Sequence, residues 1–182
     1  MKSQWDDKPF EISNEGICKP PERVWLLCDA RSSYGILPLG KVGQIIAAGG
    51  VGKTTVVAQL AVAVATGTPW MGTFTVSTPG AVLLVVGEED RDEIHRKIYY
   101  AFGALVDSAP EEERHGPREL PLNLITAVPL ASVPSPMVVR KGREMVNGDF
   151  LEWLRAYVKE KRFKLVILDP MSRFCGEEAE TS

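Results

Sequence analysis

Apolar positions along the chain fall into short blocks whose spacing alternates between strand-like and helix-like. Val42-Gly43-Gln44-Ile45-Ile46-Ala47 is a short, mostly apolar run ending in a glycine-rich turn, which predicts a buried parallel strand. From Thr54 to Thr66, Val56, Val57, Leu60, Ala61, Val62 and Val64 cover most of a helical circumference. That pattern predicts a buried helix stopped by Gly67. Ala81–Val86 is apolar at every position and predicts a strand buried on both faces. Asp90 with Glu93 forms a capping-box pattern, followed by an Ile94, Ile98, Phe102 stripe. Leu124–Val128 and Leu165–Leu168 read as a third and a fourth strand. Before the last of these, Asp149 with Glu152 repeats the capping pattern. It opens a helix expected to turn Phe150, Trp153, Leu154, Tyr157 and Val158 inward, with Lys159, Lys161 and Arg162 in a basic last turn.

The remaining stretches carry no such period. The first forty residues are broken by Gly16, Pro20 and Pro21 and read as irregular, with Trp25 expected to pack on its own domain. Residues 107–121 read as a solvated loop, with the acidic triplet Glu111-Glu112-Glu113 on its surface, and residues 129–148 as a long connection. No internal repeat is visible. Strands alternating with helices predict an α/β fold, a mainly parallel sheet flanked by helices. The expected division is an irregular arm over 1–22 and one α/β domain over 23–182.

Composition narrows the picture further. A chain of 182 residues with 45% hydrophobic and 25% charged residues can build one core, and its composition excludes disordered and coiled-coil classes. Lys and Arg number 21 against 24 Asp and Glu, a net charge of −3, which gives no global basic footprint for nucleic acid. Cys18, Cys28 and Cys175 form no CxxC pair, so neither a disulfide framework nor a zinc site is expected. The N-terminal residues lack the apolar core of a signal peptide, and Val56–Ala65 is too short to span a bilayer. A cytoplasmic protein without a membrane partner is the expectation.

The sharpest chemical signal is Ala47-Ala48-Gly49-Gly50-Val51-Gly52-Lys53-Thr54, set between an expected strand and an expected helix. Gly49, Gly50, Val51 and Gly52 let the backbone wrap a phosphate, and the helix beginning at Lys53, Thr54 and Thr55 aims its positive end at the same anion. Lys53 supplies a point charge for β- and γ-phosphates, and the Thr54 hydroxyl a magnesium ligand. Ala47 stands where the motif usually begins with glycine; the plain alternative is a glycine-rich turn capping a buried helix. Asp169, closing Leu165-Val166-Ile167-Leu168-Asp169, sits at the strand end where α/β sheets bind ligands and is the second magnesium-site candidate. Gly87-Glu88-Glu89-Asp90 ends another strand. Asp90 serves as the helix cap, Glu88 is the candidate to activate water, and Glu89 is its alternative. His95, alone on a helix, reads as a surface or packing residue, and Trp70 as a plug beneath the phosphate-loop helix. Arg173 is left open between phosphate, a neighbouring subunit and a structural ion pair.

Taken together, Gly49–Thr54, Gly67-Thr68-Pro69-Trp70-Met71-Gly72, Val85–Asp90 and Leu168-Asp169-Pro170-Met171-Ser172-Arg173-Phe174 resemble the RecA-like P-loop ATPases of the RepA replicative helicase family, over roughly residues 20 to 180. The resemblance implies a RecA-type core, ATP with Mg2+, a homo-oligomeric (usually hexameric) ring and movement on single-stranded DNA in replication. It assigns Lys53 and Thr54 to phosphate and magnesium, Glu88 to water activation and Asp169 to magnesium. The phosphate loop is also similar to that of ParA-type partition ATPases. Ala48, where that family has an additional lysine, and Gly87–Asp90, where it has Asp-x-Asp-Pro, point away from it. A recombination or repair ATPase of the same fold and a nucleotide-binding regulator without turnover remain the alternatives.

The resemblance further implies that a γ-phosphate sensor strand, DNA-contacting loops and a basic residue reaching the neighbouring site belong beyond residue 182, so the domain reads as C-terminally incomplete. Losing a positioned charge at phosphoryl transfer costs about three to five orders of magnitude in rate. The chain alone is therefore expected to show weak or no ATPase and no ATP-dependent strand displacement. An unwinding assay at low salt checks this, and robust unwinding would refute it.

Overall fold

The computed structural model describes residues 22–108, 124–130, 136–141 and 144–174. Outside these lie the expected arm apart from Glu22, the 107–121 loop beyond Ser108, Cys18 and Cys175. In chain order the elements are β1 (Trp25–Asp29), β2 (Gly35–Pro38), α1 (Lys53–Thr66), β3 (Phe74–Val76), β4 (Val82–Val86) and α2 (Arg91–Ser108). There follow β5 (Ile125–Pro129), β6 (Val138–Lys141), β7 (Glu144–Asn147), α3 (Asp149–Lys161), β8 (Leu165–Asp169) and a 3-10 turn at Met171–Phe174.

The parallel sheet has the order β5-β4-β8, so β4 is its central strand. All five β4 residues are buried, as the uninterrupted apolar run requires. Because alternate residues face opposite sides, the strand divides two cores. Val82, Leu84 and Val86 join Val57, Leu60, Ala61 and Val64 of α1 and Ile94 of α2. Leu83 and Val85 join Leu154 of α3 and Phe174. Helices therefore cover both faces, α1 and α2 on one and α3 on the other, which is the expected α/β architecture. No helix among the described residues is long and apolar enough to cross a membrane.

Helix boundaries follow local chemistry. Gly67, in the left-handed conformation, caps α1 and donates its N–H to the Ala63 carbonyl. Asp90 caps α2, its Oδ1 accepting from the Glu93 N–H at 2.9 Å. For α3 the cap is Gly148 rather than Asp149; Asp149 is already helical, and Glu152 reaches Asn147 Nδ2 at 2.9 Å. Trp153 also departs from expectation, being 41% exposed. It lies at the rim of the second core, stacked between Phe150 and Tyr157 at 5.7 and 5.3 Å, and the row continues from Phe150 to Phe174 at 5.3 Å.

Two stretches read as irregular are ordered. β1 pairs antiparallel with β2 and β3 in a small second sheet. Its pairing with β2 slips on both sides of Leu27, and Leu26 and Leu27 both enter the first core. Trp25 packs within its own domain: it crosses Gly35, where an added Cβ would lie 2.0 Å from the indole. Asp29 Oδ1 closes the β1–β2 turn by accepting from the Arg31 and Ser32 N–H groups at 3.0 and 2.7 Å. Within 129–148, β6 and β7 form a hairpin whose base is tied to the 3-10 turn by Met137 N–H donating to the Phe174 carbonyl at 2.8 Å.

One expected strand is missing. Residues 42–48 carry no strand pairing, and Val42 and Ile46 are 91% and 86% exposed. A parallel strand exists only when a neighbour accepts its hydrogen bonds. β4 is already flanked on both sides, and the outer edge of β8 has no strand partner among the described residues.

These environments make a direct contrast. Leu84→Ala opens a cavity beside the central strand and is expected to cost about 2–5 kcal/mol in urea unfolding. Ile46→Ser, on exposed backbone, is expected to stay within about 0.5 kcal/mol.

Candidate phosphate-binding site

The parallel register brings the chemical residues to one sheet edge. Val86 lies opposite both Pro129 and Asp169, and beyond the strands Gly87 N–H donates to the Asp169 carbonyl at 2.8 Å. Glu88 and Asp169 therefore emerge side by side at the carboxyl ends of β4 and β8. At its opposite end α1 is tied to the start of β4, where Gly80 N–H donates to the Val64 carbonyl at 3.0 Å. The helix thus runs antiparallel to β4, and its N-terminus at Lys53 points to the same edge as the two carboxylates. In open α/β sheets this is the edge that binds ligands.

The loop in front of α1 is shaped for an anion. Gly50 and Gly52 adopt φ values of 75° and 90°, which side-chain-bearing residues rarely take. Gly52 is the N-cap, has no side-chain hydrogen bond to the helix, and no acid stands in the first turn. The first helical N–H groups are thus left for a ligand. Gly49, Gly50, Val51, Gly52 and Thr55 are exposed, and Lys53 and Thr54 half-buried. Lys53 Nζ donates to the carbonyls of Ala47 and Ala48 at 2.9 and 2.7 Å, closing the loop on itself. The ammonium is thereby held inside the turn that a phosphate would share with it.

Asp169 fits a cation. It is 8% exposed, and its Oδ2 is buried without a hydrogen-bond partner among the described residues, an arrangement that costs free energy unless a charge or donor meets it. The Thr54 hydroxyl makes no hydrogen bond among the described residues. No cluster of three or more His, Cys, Asp or Glu side chains occurs there either. One carboxylate and one hydroxyl suit a small hard cation that keeps waters and takes its remaining oxygens from phosphate.

The two adjacent glutamates separate. Glu89 is folded back onto α2 and pairs with Lys97, the two side chains being 18% and 23% exposed. Lys97 also lies 3.9 Å from Glu93. Glu88 is exposed and has no partner among the described residues, which leaves its carboxylate available to a ligand or water. The strand that leads into Glu88 is flanked by β5 and β8, not by the segment entering the phosphate loop. Sequence reasoning missed Lys97, although it stands one helical turn after Glu93 and two after Glu89.

Arg173 Nε donates to the Gly87 carbonyl at 3.1 Å. His95 is exposed on α2 beside Arg96, Tyr99 and Tyr100. Trp70, partly buried, packs against the first core, its Nε1 buried without an acceptor among the described residues.

Comparison with known proteins agrees with this geometry at the level of family. A family model described as an AAA domain matches residues 8–182. No curated protein matches the chain significantly.

The division of the two glutamates is testable by stability alone. Glu89→Gln leaves a mostly buried Lys97 short of its main counter-charge and is expected to cost about 1–3 kcal/mol in thermal or urea unfolding. Glu88→Gln should leave stability unchanged. The opposite ranking would mean that Glu88 is the structural residue.

Proposed function

The chain belongs to the AAA-domain family and is a nucleotide-binding ATPase domain of the AAA/RecA-like kind, and from that premise we propose that it is the ATP-hydrolysing domain of a RepA-type DNA helicase. In this reading it uses Mg2+, acts in a homo-oligomeric ring and works on single-stranded DNA during replication. The observation that carries the hydrolytic part is the pairing of Glu88, unpartnered among the described residues, with a buried Asp169 whose Oδ2 also has no partner there, at the edge faced by the phosphate loop. Resemblance in the four motifs supports the helicase part.

On ATP binding, Lys53 exchanges the Ala47 and Ala48 carbonyls for β- and γ-phosphate oxygens, and the N–H groups of Gly50–Thr55 surround the phosphates. Thr54 and Asp169 would hold magnesium, which supplies charge neutralisation at the phosphate oxygens. Glu88 orients a water and takes its proton as the water oxygen bonds to the γ-phosphorus. The bond from that phosphorus to the β–γ bridging oxygen breaks, and ADP leaves with the bridging oxygen.

Two substitutions test this. Lys53→Ala should lower ATP affinity by about tenfold or more in calorimetry. Glu88→Gln should retain binding while turnover falls by about a hundredfold. Unchanged affinity in the first would remove the phosphate-loop assignment. Binding with no hydrolysis by the unsubstituted chain even in single-turnover measurement, where weak activity is detectable, would leave a nucleotide-binding module.

A further inference from the structure

Arg173 occupies a position that the proposed chemistry has not yet used. It lies on the 3-10 turn after β8, four residues beyond Asp169, and its side chain crosses to the end of β4. The crossing is close. A Cβ placed on Gly87 would lie 2.8 Å from Arg173 Cβ and 3.0 Å from its Cγ, so glycine is required beneath the arginine stem. Gly87 is itself buried. Both of its backbone polar groups are taken by the β8 end: its N–H donates to the Asp169 carbonyl at 2.8 Å, and its carbonyl accepts from Arg173 Nε at 3.1 Å. The turn bearing Arg173 is held in its own right. Arg173 N–H donates to the Pro170 carbonyl at 3.2 Å, and the neighbouring Phe174 is 1% exposed in the second core.

The Gly87 carbonyl belongs to the peptide plane that leads into Glu88. A planar peptide transmits the orientation of its carbonyl to the following N–H and Cα. Fixing that oxygen therefore fixes where the Glu88 side chain starts. Glu88 needs such an external restraint, since its carboxylate has no partner among the described residues, whereas Glu89 is anchored by Lys97. A charged donor to a carbonyl is also stronger than a neutral one.

We infer that Arg173 is the positioning residue for Glu88: through the Gly87 carbonyl it locks the peptide that aims the carboxylate at the ligand edge and couples that aim to the turn following Asp169. This deepens the hydrolytic reading and rests on it for its catalytic meaning, while the tie itself can be tested without turnover.

The test compares Arg173→Ala, Arg173→Lys and Gly87→Ala with the unsubstituted chain by two readouts. In amide NMR, Arg173→Ala should shift the Glu88 N–H signal and accelerate hydrogen exchange at Gly87 and Glu88, leaving Leu83–Val85 protected. Arg173→Lys, which retains a charged donor, should restore part of the original signal. In single-turnover hydrolysis at saturating ATP, Arg173→Ala should lower the rate by about tenfold to a hundredfold with ATP affinity unchanged, because misplacing a catalytic group costs rate rather than binding. Arg173→Ala added to Glu88→Gln should then lower the rate little further than Glu88→Gln alone. Gly87→Ala reaches the same state with the guanidinium intact, so it decides the matter should Arg173→Ala fail to fold. An unmoved Glu88 amide in both variants overturns the inference whether or not the chain hydrolyses ATP. A moved amide with an unchanged rate overturns the positioning role. An unsubstituted chain that binds ATP and shows no hydrolysis even at single turnover overturns the hydrolytic reading, and the amide readout still decides the tie.

Discussion

Burial of β4 on both faces and both edges is the constraint from which the rest of the molecule follows. Five consecutive apolar side chains cannot be left to water; at about 1.5–3 kcal/mol for each buried aliphatic side chain, covering them outweighs any local preference nearby. The faces must therefore be covered by helices and the edges by strands, and β5, β8, α1, α2 and α3 meet these demands. Parallel pairing then aligns the strand ends. Gly87, Glu88 and Asp169 share one edge because Val86 is in register with Asp169, not because any of them attracts the others.

The same constraint gives the three carboxylates different surroundings. Glu89 turns toward α2, where Lys97 meets its Oε1 in a mostly buried setting, while its Oε2 is buried without a partner among the described residues. Glu88, one residue earlier, emerges into solvent. Asp169 lies between these extremes: burial removes water from Oδ2 and no donor among the described residues takes its place. An orphaned acceptor beside a loop shaped for phosphate is the combination that a magnesium nucleotide resolves. Lys53 shows the complementary behaviour. Its ammonium donates to the Ala47 and Ala48 carbonyls, so its hydrogen bonds are made within the loop until phosphate competes for them.

Local sequence rules worked where short-range chemistry decides. The helix stop at Gly67, the cap at Asp90 and the strands around Val82–Val86 and Leu165–Asp169 each rest on a few neighbouring residues. They were weaker where a partner distant in sequence decides. The β1–β2 hairpin depends on Trp25 meeting Gly35 and on the Asp29 turn, and the β6–β7 hairpin on a base fastened to Phe174. Asp149 failed as a cap because Gly148 already occupies that place, and Trp153 is left at the rim because Leu154 takes the inward position.

The sequence by itself determined the α/β class and named Gly49–Thr55 as the candidate phosphate loop with Asp169 and Glu88 as candidate acids, because spacing and residue type encode backbone freedom, charge and helix polarity directly. Only the tertiary structure decided that Glu89 belongs to Lys97, that Arg173 reaches across to Gly87, and that Val42–Ala47 stays unpaired despite its apolar run. The reason is the same in each case. A side chain's partner and a strand's neighbour are set by which chain segments the core brings together. A hydrogen bond between residues 87 and 173 leaves no local trace in either segment.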